Sequence, residues 1–350
     1  MSDATARGLH AALERLRAGQ ALTLEEADAA FEEIASGAGH AAVVGAMLAL
    51  LASRTPSEEE LAAAAGVMRR HVVRVPTRIP PAEILDTAGT GGAPKRFNAS
   101  TAAAIVAAAC GARVAKHGNR SRTGRGSSEV LAALGVNVDA SPEVQARSLE
   151  EVGICFSFSQ RHHPTARHVA EVRAALPFPT LFNLVGPLVN PAGALRQVMG
   201  VHHESLLEPV AGALRRLGCV RGMVIHSEDG LDELSVNAPT HVMELADGVV
   251  RRTHVDPRHL GLEAGMRPED APRTLAEAAA LLRRVIRGDE RGAARRMTLL
   301  NAAAALVVAE RAPDLASGVA AAAGAIDFGD AWSVLERMVV ASGGRMTEER

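Results

Sequence analysis

The chain has 350 residues, a formal net charge of −2, seven Phe, one Trp and no Tyr. So few rings and so little positive charge argue against nucleic acid as the main ligand, because that binding uses base stacking and attraction to phosphates. A hydrophobic fraction of 47% predicts a globular protein with a full core, and the length allows two domains.

Cysteine usage and hydropathy indicate a cytoplasmic protein. Cys110, Cys155 and Cys219 are far apart in the sequence and form no metal-binding spacing, as expected of buried thiols in a reducing compartment. The sequence opens without a charged-then-apolar leader, and its most apolar run, 41–52, is shorter than the ~20 residues of a membrane span. We therefore expect no membrane segment.

The first part of the chain predicts a small all-helical domain. Thr23 and Ser57 are each followed three residues later by Glu, the pattern of a capping box at a helix start. The segment 39–53 is apolar or small on almost all sides. It predicts a helix buried inside this domain or pressed against another subunit.

Prolines spaced through 76–81 favour an extended link, so we expect a helical domain at 1–78 and a second domain at 79–350. In the second domain short strand-like runs alternate with helical patterns, which is typical of a mostly parallel sheet covered by helices on both faces. Strands are predicted at 83–87, 112–115, 154–158 and 222–226, and helices from 101 and at 128–134, 142–152, 164–176 and 206–217. An Asp-Gly pair within 240–255 predicts an antiparallel hairpin, and the last ninety residues read as helices.

A glycine-rich segment, Gly89-Thr-Gly-Gly92, follows the first of these strands and leads to Asn98, Ser100 and Thr101. Glycines let backbone amides approach a ligand, and the Ser/Thr pair can cap a helix whose positive end faces the same space. This combination predicts a phosphate site, although glycine clusters alone more often mark tight turns.

A basic loop strengthens that interpretation. Its side chains are Lys116, His117, Asn119, Arg120, Arg122 and Arg125, within a glycine- and serine-rich stretch between a strand and a helix. A solvated surface loop is the alternative reading, but few such loops collect so many donors. Ser127 and Ser128 either cap the next helix or donate to a phosphate.

Asp232 and Glu233 come shortly after a strand, where open α/β sheets bind their ligands. Adjacent carboxylates are usually just solvated, but beside phosphates they suit magnesium. Zinc at the His162-His163 pair is rejected, since no third ligand stands at a suitable spacing. Arg173 fits a surface ion pair better than a carboxylate receptor on spacing alone. These residues predict an enzyme or binder of a phosphorylated metabolite that uses magnesium.

Taken in order, the motifs resemble those of the anthranilate phosphoribosyltransferase family over essentially the whole chain. They are Gly89-Thr-Gly-Gly92, Asn98-Ala-Ser-Thr101, Lys116-His-Gly-Asn-Arg-Ser121, His162-His-Pro164, Phe182-Asn-Leu-Val-Gly-Pro-Leu-Val-Asn-Pro191 and Asp229-Gly-Leu-Asp-Glu233. The resemblance implies a homodimer whose α/β domain is related to nucleoside phosphorylases, with part of 164–190 packed on the helical domain. It also implies a reaction in which anthranilate and phosphoribosyl pyrophosphate (PRPP) give N-(5-phosphoribosyl)anthranilate and pyrophosphate, a step of tryptophan biosynthesis.

The resemblance further implies roles for individual residues. Two magnesium ions per subunit would be held by Ser100 with Glu233 and by Asp232 with Glu233. Anthranilate would contact Gly89, Asn119 and Arg173, which replaces the surface interpretation of that arginine. PRPP would contact Gly89, Gly92, Ala93, Arg96, Asn98, Ser100, Thr101, Lys116, Gly118, Asn119, Arg120 and Ser127.

The chain departs from the family pattern in its two loops. Ala93 stands where the family has Asp, both loops are about one residue short, and Lys95, Arg96, Arg122 and Arg125 add positive charge. We expect stronger attraction for phosphate and an altered magnesium dependence.

The competing hypotheses are a pyrimidine nucleoside phosphorylase, a non-catalytic relative that binds nucleic acid, and a dinucleotide oxidoreductase. The acid pair argues against the phosphorylase, and the net charge argues against the nucleic-acid binder. The absence of a GxGxxG fingerprint argues against the oxidoreductase.

Overall fold

A computed structural model describes residues 7–121 and 123–347, so Arg122 of the basic loop lies outside the described residues. The helices are α1 (Arg7–Arg17), α2 (Leu24–Ala35), α3 (Ala41–Ala52), α4 (Glu58–Arg70), α5 (Ala99–Ala109), α6 (Ser127–Ala133), α7 (Pro142–Glu151), α8 (Ser159–His162), α9 (Arg167–Ala175), α10 (Leu181–Val185), α11 (Leu207–Arg216), α12 (Leu275–Arg287), α13 (Ala293–Val308), α14 (Leu315–Asp327) and α15 (Asp330–Ala341). The strands are β1 (Ile84–Asp86), β2 (Arg113–Gly118), β3 (Ile154–Phe158), β4 (Arg196–Gly200), β5 (Arg221–Ser227), β6 (Thr240–Ala246) and β7 (Val249–Val255). A small helical region therefore precedes a larger α/β region, as the sequence predicts.

One seven-stranded sheet has the order β3-β2-β1-β4-β5-β6-β7. Strands β1 to β5 run parallel, and β6 and β7 form the antiparallel hairpin predicted from the Asp-Gly pair. Both turn residues, Asp247 at φ 51° and Gly248 at φ 73°, have the positive φ that such a hairpin turn requires. The chain order reverses between β1 and β4, so the segments that follow these strands diverge and leave room for a ligand.

The helical region shares one apolar core with part of the α/β region. Phe31, Met47 and Leu61 from its helices join Val169 of α9 and Leu184 of α10 in this core. The core continues across α11 to one face of the sheet, while α5 and α12 to α15 cover the opposite face. The two regions are therefore bound through buried apolar surface rather than through the link alone.

Helix α3 is less enclosed in the single chain than its sequence predicts. It buries Val44, Met47, Leu48 and Leu51, whereas its alanines at 41, 42, 46 and 52 are exposed. The predicted capping boxes at Thr23 and Ser57 both form, and a third forms at Thr274. None of the helices in the described ranges is long and apolar enough to cross a membrane.

Candidate active site

The glycine loop lies directly against the end of β4 and the acidic loop after β5. The Thr90 amide donates to the Gly200 carbonyl at 2.9 Å. A Cβ on Gly89 would lie 3.3 Å from that carbonyl oxygen and 3.4 Å from Asp232 Oδ2. Gly91 and Gly92 have φ of 64° and 96°, a conformation that favours glycine. The turn therefore brings backbone close to the acid pair.

Helix α5 begins at Ala99, after this turn, but not with the cap that the sequence suggests. Its N-cap is Asn98, which makes no side-chain cap, so the expectation that Ser100 or Thr101 caps the helix is wrong. The Ser100 amide instead donates to Glu233 Oε1 at 3.1 Å. A carboxylate from a distant loop thus occupies the positive end of α5, where negative charge is stabilised.

Burial disfavours the ionised forms of Asp232 and Glu233. Desolvation, and then the charge of Asp232, raise the pKa of Glu233 to about 7. Desolvation also raises the pKa of Asp232, against the opposing effect of nearby Lys95. A bound cation would lower the pKa of both carboxyl groups, because a nearby positive charge favours their ionised form. The pair is therefore suited to holding a cation.

Lys116 lies beside Ser100, the residue whose amide contacts Glu233. Its Nζ donates to the carbonyl and the hydroxyl of Thr87, both at 3.2 Å, and lies 3.4 Å from Ser100 Oγ. Lys116 is only 3% exposed, and burial lowers its pKa to about 8. Asp86, fully buried, has its pKa raised to about 6 by burial, and Lys116 and Asn190 oppose that shift. The site thus contains an ammonium that is ready to accept an anion.

The basic loop connects the end of β2 to the start of α6. A Cβ on Gly118 would lie 2.6 Å from Ser127 Oγ and 2.8 Å from the Phe156 ring, so a larger residue would have to displace both side chains. The N-cap of α6 is Gly126, which has no side chain that could cap the helix. Neither Ser127 nor Ser128 is therefore the capping residue. Ser128 Oγ donates instead to the Asn119 carbonyl at 3.1 Å.

Each of these two loops carries an arginine from the set assigned to PRPP, Arg96 and Arg120. The Arg120 guanidinium lies over the Phe158 ring, 5.7 Å from its centre, and Arg120 is exposed. Arg96 Nε is buried and has no hydrogen-bond partner in the described structure. A buried guanidinium nitrogen without an acceptor is costly, and an anionic ligand would supply that acceptor.

Arg173 lines a separate cavity of about 640 Å³ with His163, Phe178 and Asn183. Its guanidinium lies 5.6 Å from the Phe182 ring centre, and Nη2 donates to Asn183 Oδ1 at 3.5 Å. His163 Nε2 lies 3.2 Å from His117 Nε2, which links the cavity to β2. Of the three residues assigned to anthranilate, only Arg173 lines this cavity, while Gly89 faces Asp232 and Asn119 stands in the basic loop.

Within the described ranges, no group of three His, Cys, Asp or Glu residues could hold a metal ion. The available protein ligands are the two carboxylates and the Ser100 hydroxyl. This set fits magnesium, which keeps several waters and takes its remaining ligands from substrate phosphates.

Sequence reasoning missed strand β4 and therefore the role of its last residue. A Cβ on Gly200 would lie 1.6 Å from the Asp232 carbonyl oxygen, so the acidic loop packs on bare backbone. His202, two residues on, packs beside Gly92 and lies 3.3 Å from the Thr90 hydroxyl. The Val198-Met199-Gly200 run between Pro191 and the next helix was the available signal.

Fold and site together define the class of protein. Residues 10–72 match the helical bundle domain, and residues 81–332 the a/b domain, of a glycosyl transferase family. Within that class, the chain belongs to the anthranilate phosphoribosyltransferase family. It is 44% identical to the enzyme of that name from Rubrobacter xylanophilus over 95% of this chain and 96% of the relative, and 46% identical to that of Methylobacterium sp. strain 4-46 over 94% and 97%.

Solved structures agree with this assignment. The anthranilate phosphoribosyltransferase of Thermus thermophilus superposes with a TM-score of 0.88 at 39% identity, over 95% of this chain and 99% of that one. The Saccharomyces cerevisiae enzyme in complex with PRPP and Mg superposes with a TM-score of 0.85 over 98% and 99%. At 24% identity the second likeness is one of fold.

Proposed function

We propose that the protein transfers the phosphoribosyl group of PRPP to the amine of anthranilate, giving N-(5-phosphoribosyl)anthranilate and pyrophosphate. The observation that carries this proposal is the position of Asp232 and Glu233. They follow β5 and approach Gly89 and the Ser100 amide, and Lys116 contacts the hydroxyl of the same Ser100. Cation ligands and anion donors therefore face one space.

PRPP would lie between these groups. The Gly89–Gly92 turn would present backbone amides, and the positively charged residues would neutralise the phosphates. Arg96 supports this placement, since its buried Nε has no acceptor among the described residues. The remaining contacts proposed for PRPP are Ala93, Asn98, Ser100, Thr101, Lys116, Gly118, Asn119, Arg120 and Ser127.

Magnesium would be held at two positions, by Ser100 with Glu233 and by Asp232 with Glu233. Magnesium bound at these residues would stabilise the negative charge that develops on the departing pyrophosphate. Glu233, whose pKa is raised to about 7, would ionise fully as the ion binds.

Anthranilate would bind through its carboxylate to Arg173. A guanidinium recognises a carboxylate through two parallel hydrogen bonds, and stacking on Phe182 fixes the plane of this one. The same set includes Gly89 and Asn119, which would approach the ring from the PRPP side.

The chemistry requires no strong base. An aromatic amine has a free lone pair at neutral pH, and the difficult step is breakage of the bond between the anomeric carbon and pyrophosphate. As that bond breaks, the C–N bond forms and the amine then loses a proton. Fixed donors that meet the developing charge reduce the barrier, and one such donor typically contributes about a hundredfold or more in rate.

Three further features belong to this proposal. The domain division lies near residue 78, supported by family matches that end at 72 and begin again at 81. The enzyme is a homodimer, supported by the exposed alanines of α3, which would let a second backbone approach closely. It acts in the cytoplasm, as the free cysteines suggest.

The decisive experiment follows loss of anthranilate fluorescence in the presence of PRPP and magnesium. Wild type is compared with Asp232→Ala/Glu233→Ala, and the matched control is Glu269→Ala/Asp270→Ala, an acidic pair that contacts Arg267 at the surface. Magnesium-dependent turnover that only the first double variant abolishes supports the proposal. No turnover by folded wild type, or phosphorolysis of a pyrimidine nucleoside instead, refutes it.

A further inference from the structure

Lysine is almost absent from this protein. Of its 38 basic Lys and Arg residues only two are lysine, Lys95 and Lys116, and all others are arginine. Both lysines lie beside the proposed phosphate site, Lys116 within β2 and Lys95 in the glycine loop, which runs from Gly89 to Asn98. Lys116 is buried beneath the site, whereas Lys95 is exposed. The resemblance to the family assigns no role to Lys95.

The contacts of Lys95 cross from one loop to the other. Its Nζ donates to the Arg125 carbonyl at 2.8 Å, and Asn98 Nδ2 donates to the same oxygen at 3.2 Å. One carbonyl of the basic loop thus accepts two donors from the glycine loop. A charged donor makes the stronger of such bonds.

Arg125 is itself fixed on two further sides. Its amide donates to Ser121 Oγ at 3.1 Å, and its guanidinium donates to the Pro272 carbonyl. The carbonyl that Lys95 contacts is therefore part of a braced segment rather than a free loop end. Desolvation lowers the pKa of the Lys95 ammonium, and the negative charges of Glu233, Asp232 and Glu129 oppose that shift.

We propose that Lys95 is a positioning residue that clamps the glycine loop to the basic loop and so preorganises the site for the phosphates of PRPP. The second half of this statement rests on the proposed function, whereas the clamp does not. Holding both loops in place before binding removes an ordering cost that PRPP would otherwise meet.

The first test measures hydrogen exchange in the free protein over residues 89–98 and 119–126. Lys95→Met removes the donor and the charge, Lys95→Arg keeps both, and Arg291→Met removes an exposed arginine that pairs with Asp327. Loss of one charge-assisted hydrogen bond predicts exchange about tenfold faster in Lys95→Met. Lys95→Arg and Arg291→Met should stay near wild type. Unchanged exchange in Lys95→Met overturns the proposal, whatever its activity.

The second test measures PRPP binding by calorimetry with magnesium. Lys95→Met should weaken affinity about tenfold and leave kcat nearly unchanged, because the clamp acts before the chemical step. Lys95→Arg should restore most of the affinity. Affinity in Lys95→Met equal to that of wild type overturns the role in PRPP binding.

Amine acylation gives an independent readout, since Lys95 is the exposed lysine and Lys116 is only 3% exposed. Acylation of Lys95 by an N-hydroxysuccinimide ester, followed by mass spectrometry, should slow when PRPP and magnesium fill the site. Equal rates with and without PRPP contradict the placement of Lys95 at the phosphates. If wild type binds no PRPP, the proposed function fails, and the exchange measurement still decides the clamp.

Discussion

Gly200 supports the acidic loop, and its replacement by alanine should impair the site without removing any ligand-binding side chain. The added Cβ would lie 1.6 Å from the Asp232 carbonyl oxygen and 2.6 Å from the carbonyl carbon. An ordinary carbon–oxygen contact is about 3.3 Å, so the Asp232 backbone must retreat by roughly 1.7 Å. Both atoms belong to backbone, and no flexible side chain can yield in their place.

The expected consequence is larger for activity than for stability. Overpacking of this kind costs about 1–3 kcal/mol of unfolding free energy, and a displacement near 1 Å at reacting groups costs about a hundredfold in rate. Because Asp232 and Glu233 are adjacent, both move, and the magnesium concentration for half-maximal rate should rise as well.

The assay is the initial rate over a magnesium titration, with thermal unfolding measured on the same samples. Gly66→Ala is the matched control, since a Cβ at Gly66 of helix α4 meets no atom within 4 Å. That substitution should leave the rate unchanged and stabilise by about 0.5–1 kcal/mol, the usual helix preference for alanine. Wild-type rate and magnesium dependence in a folded Gly200→Ala enzyme would refute the packing argument.

Three further predictions concern the charged groups. Glu233 has its pKa raised to about 7, so the free energy of unfolding should fall as pH rises from about 4.5 through 7, and Glu233→Gln should flatten that slope in denaturant titrations at several pH values. Arg173→Lys should raise the KM for anthranilate about tenfold and leave PRPP affinity unchanged, because an ammonium cannot form the two parallel bonds; an unchanged KM contradicts that role. Ala93→Asp adds a carboxylate to the glycine loop and should shift the magnesium dependence of the rate. Identical magnesium titrations of wild type and Ala93→Asp would contradict this prediction.

Local signals in the sequence predicted local structure well. The β6–β7 turn follows from Asp247-Gly248, because both positions require a positive φ that these residues tolerate. The capping boxes at Thr23 and Ser57 also form, since each needs only residues within one helical turn. In these places the determining interactions lie inside the segment.

Strand β4 shows why other parts could not be predicted. It begins with Arg196, whose guanidinium contacts the carbonyls of Ala82 and Val308, and continues with Gln197, buried because Nε2 donates to the Pro187 carbonyl at 2.7 Å. Polar residues at the first two positions of the strand hide the apolar pattern of a central strand. Their partners lie outside the strand, so only the fold explains their burial.

The cap of α5 fails for the same reason. Ser100 and Thr101 are good capping residues, but the first-turn amide is taken by Glu233, which lies 133 residues further along the chain. A local rule could name the residues near the phosphate site, but it could not identify the carboxylate that reaches them.

The site holds buried charges that stabilise one another only in part. Burial raises the pKa of Glu233 and lowers that of Lys116, so both groups resist their charged forms. Magnesium bound beside Glu233 would lower the pKa of its carboxyl group, and phosphate bound beside Lys116 would raise the pKa of its ammonium. In both cases the opposite charge favours the ionised form. Binding free energy would then also be folding free energy, and the ligands together should raise the melting temperature with their concentration. This coupling explains why groups that are costly for the free protein stand together at one edge of the sheet.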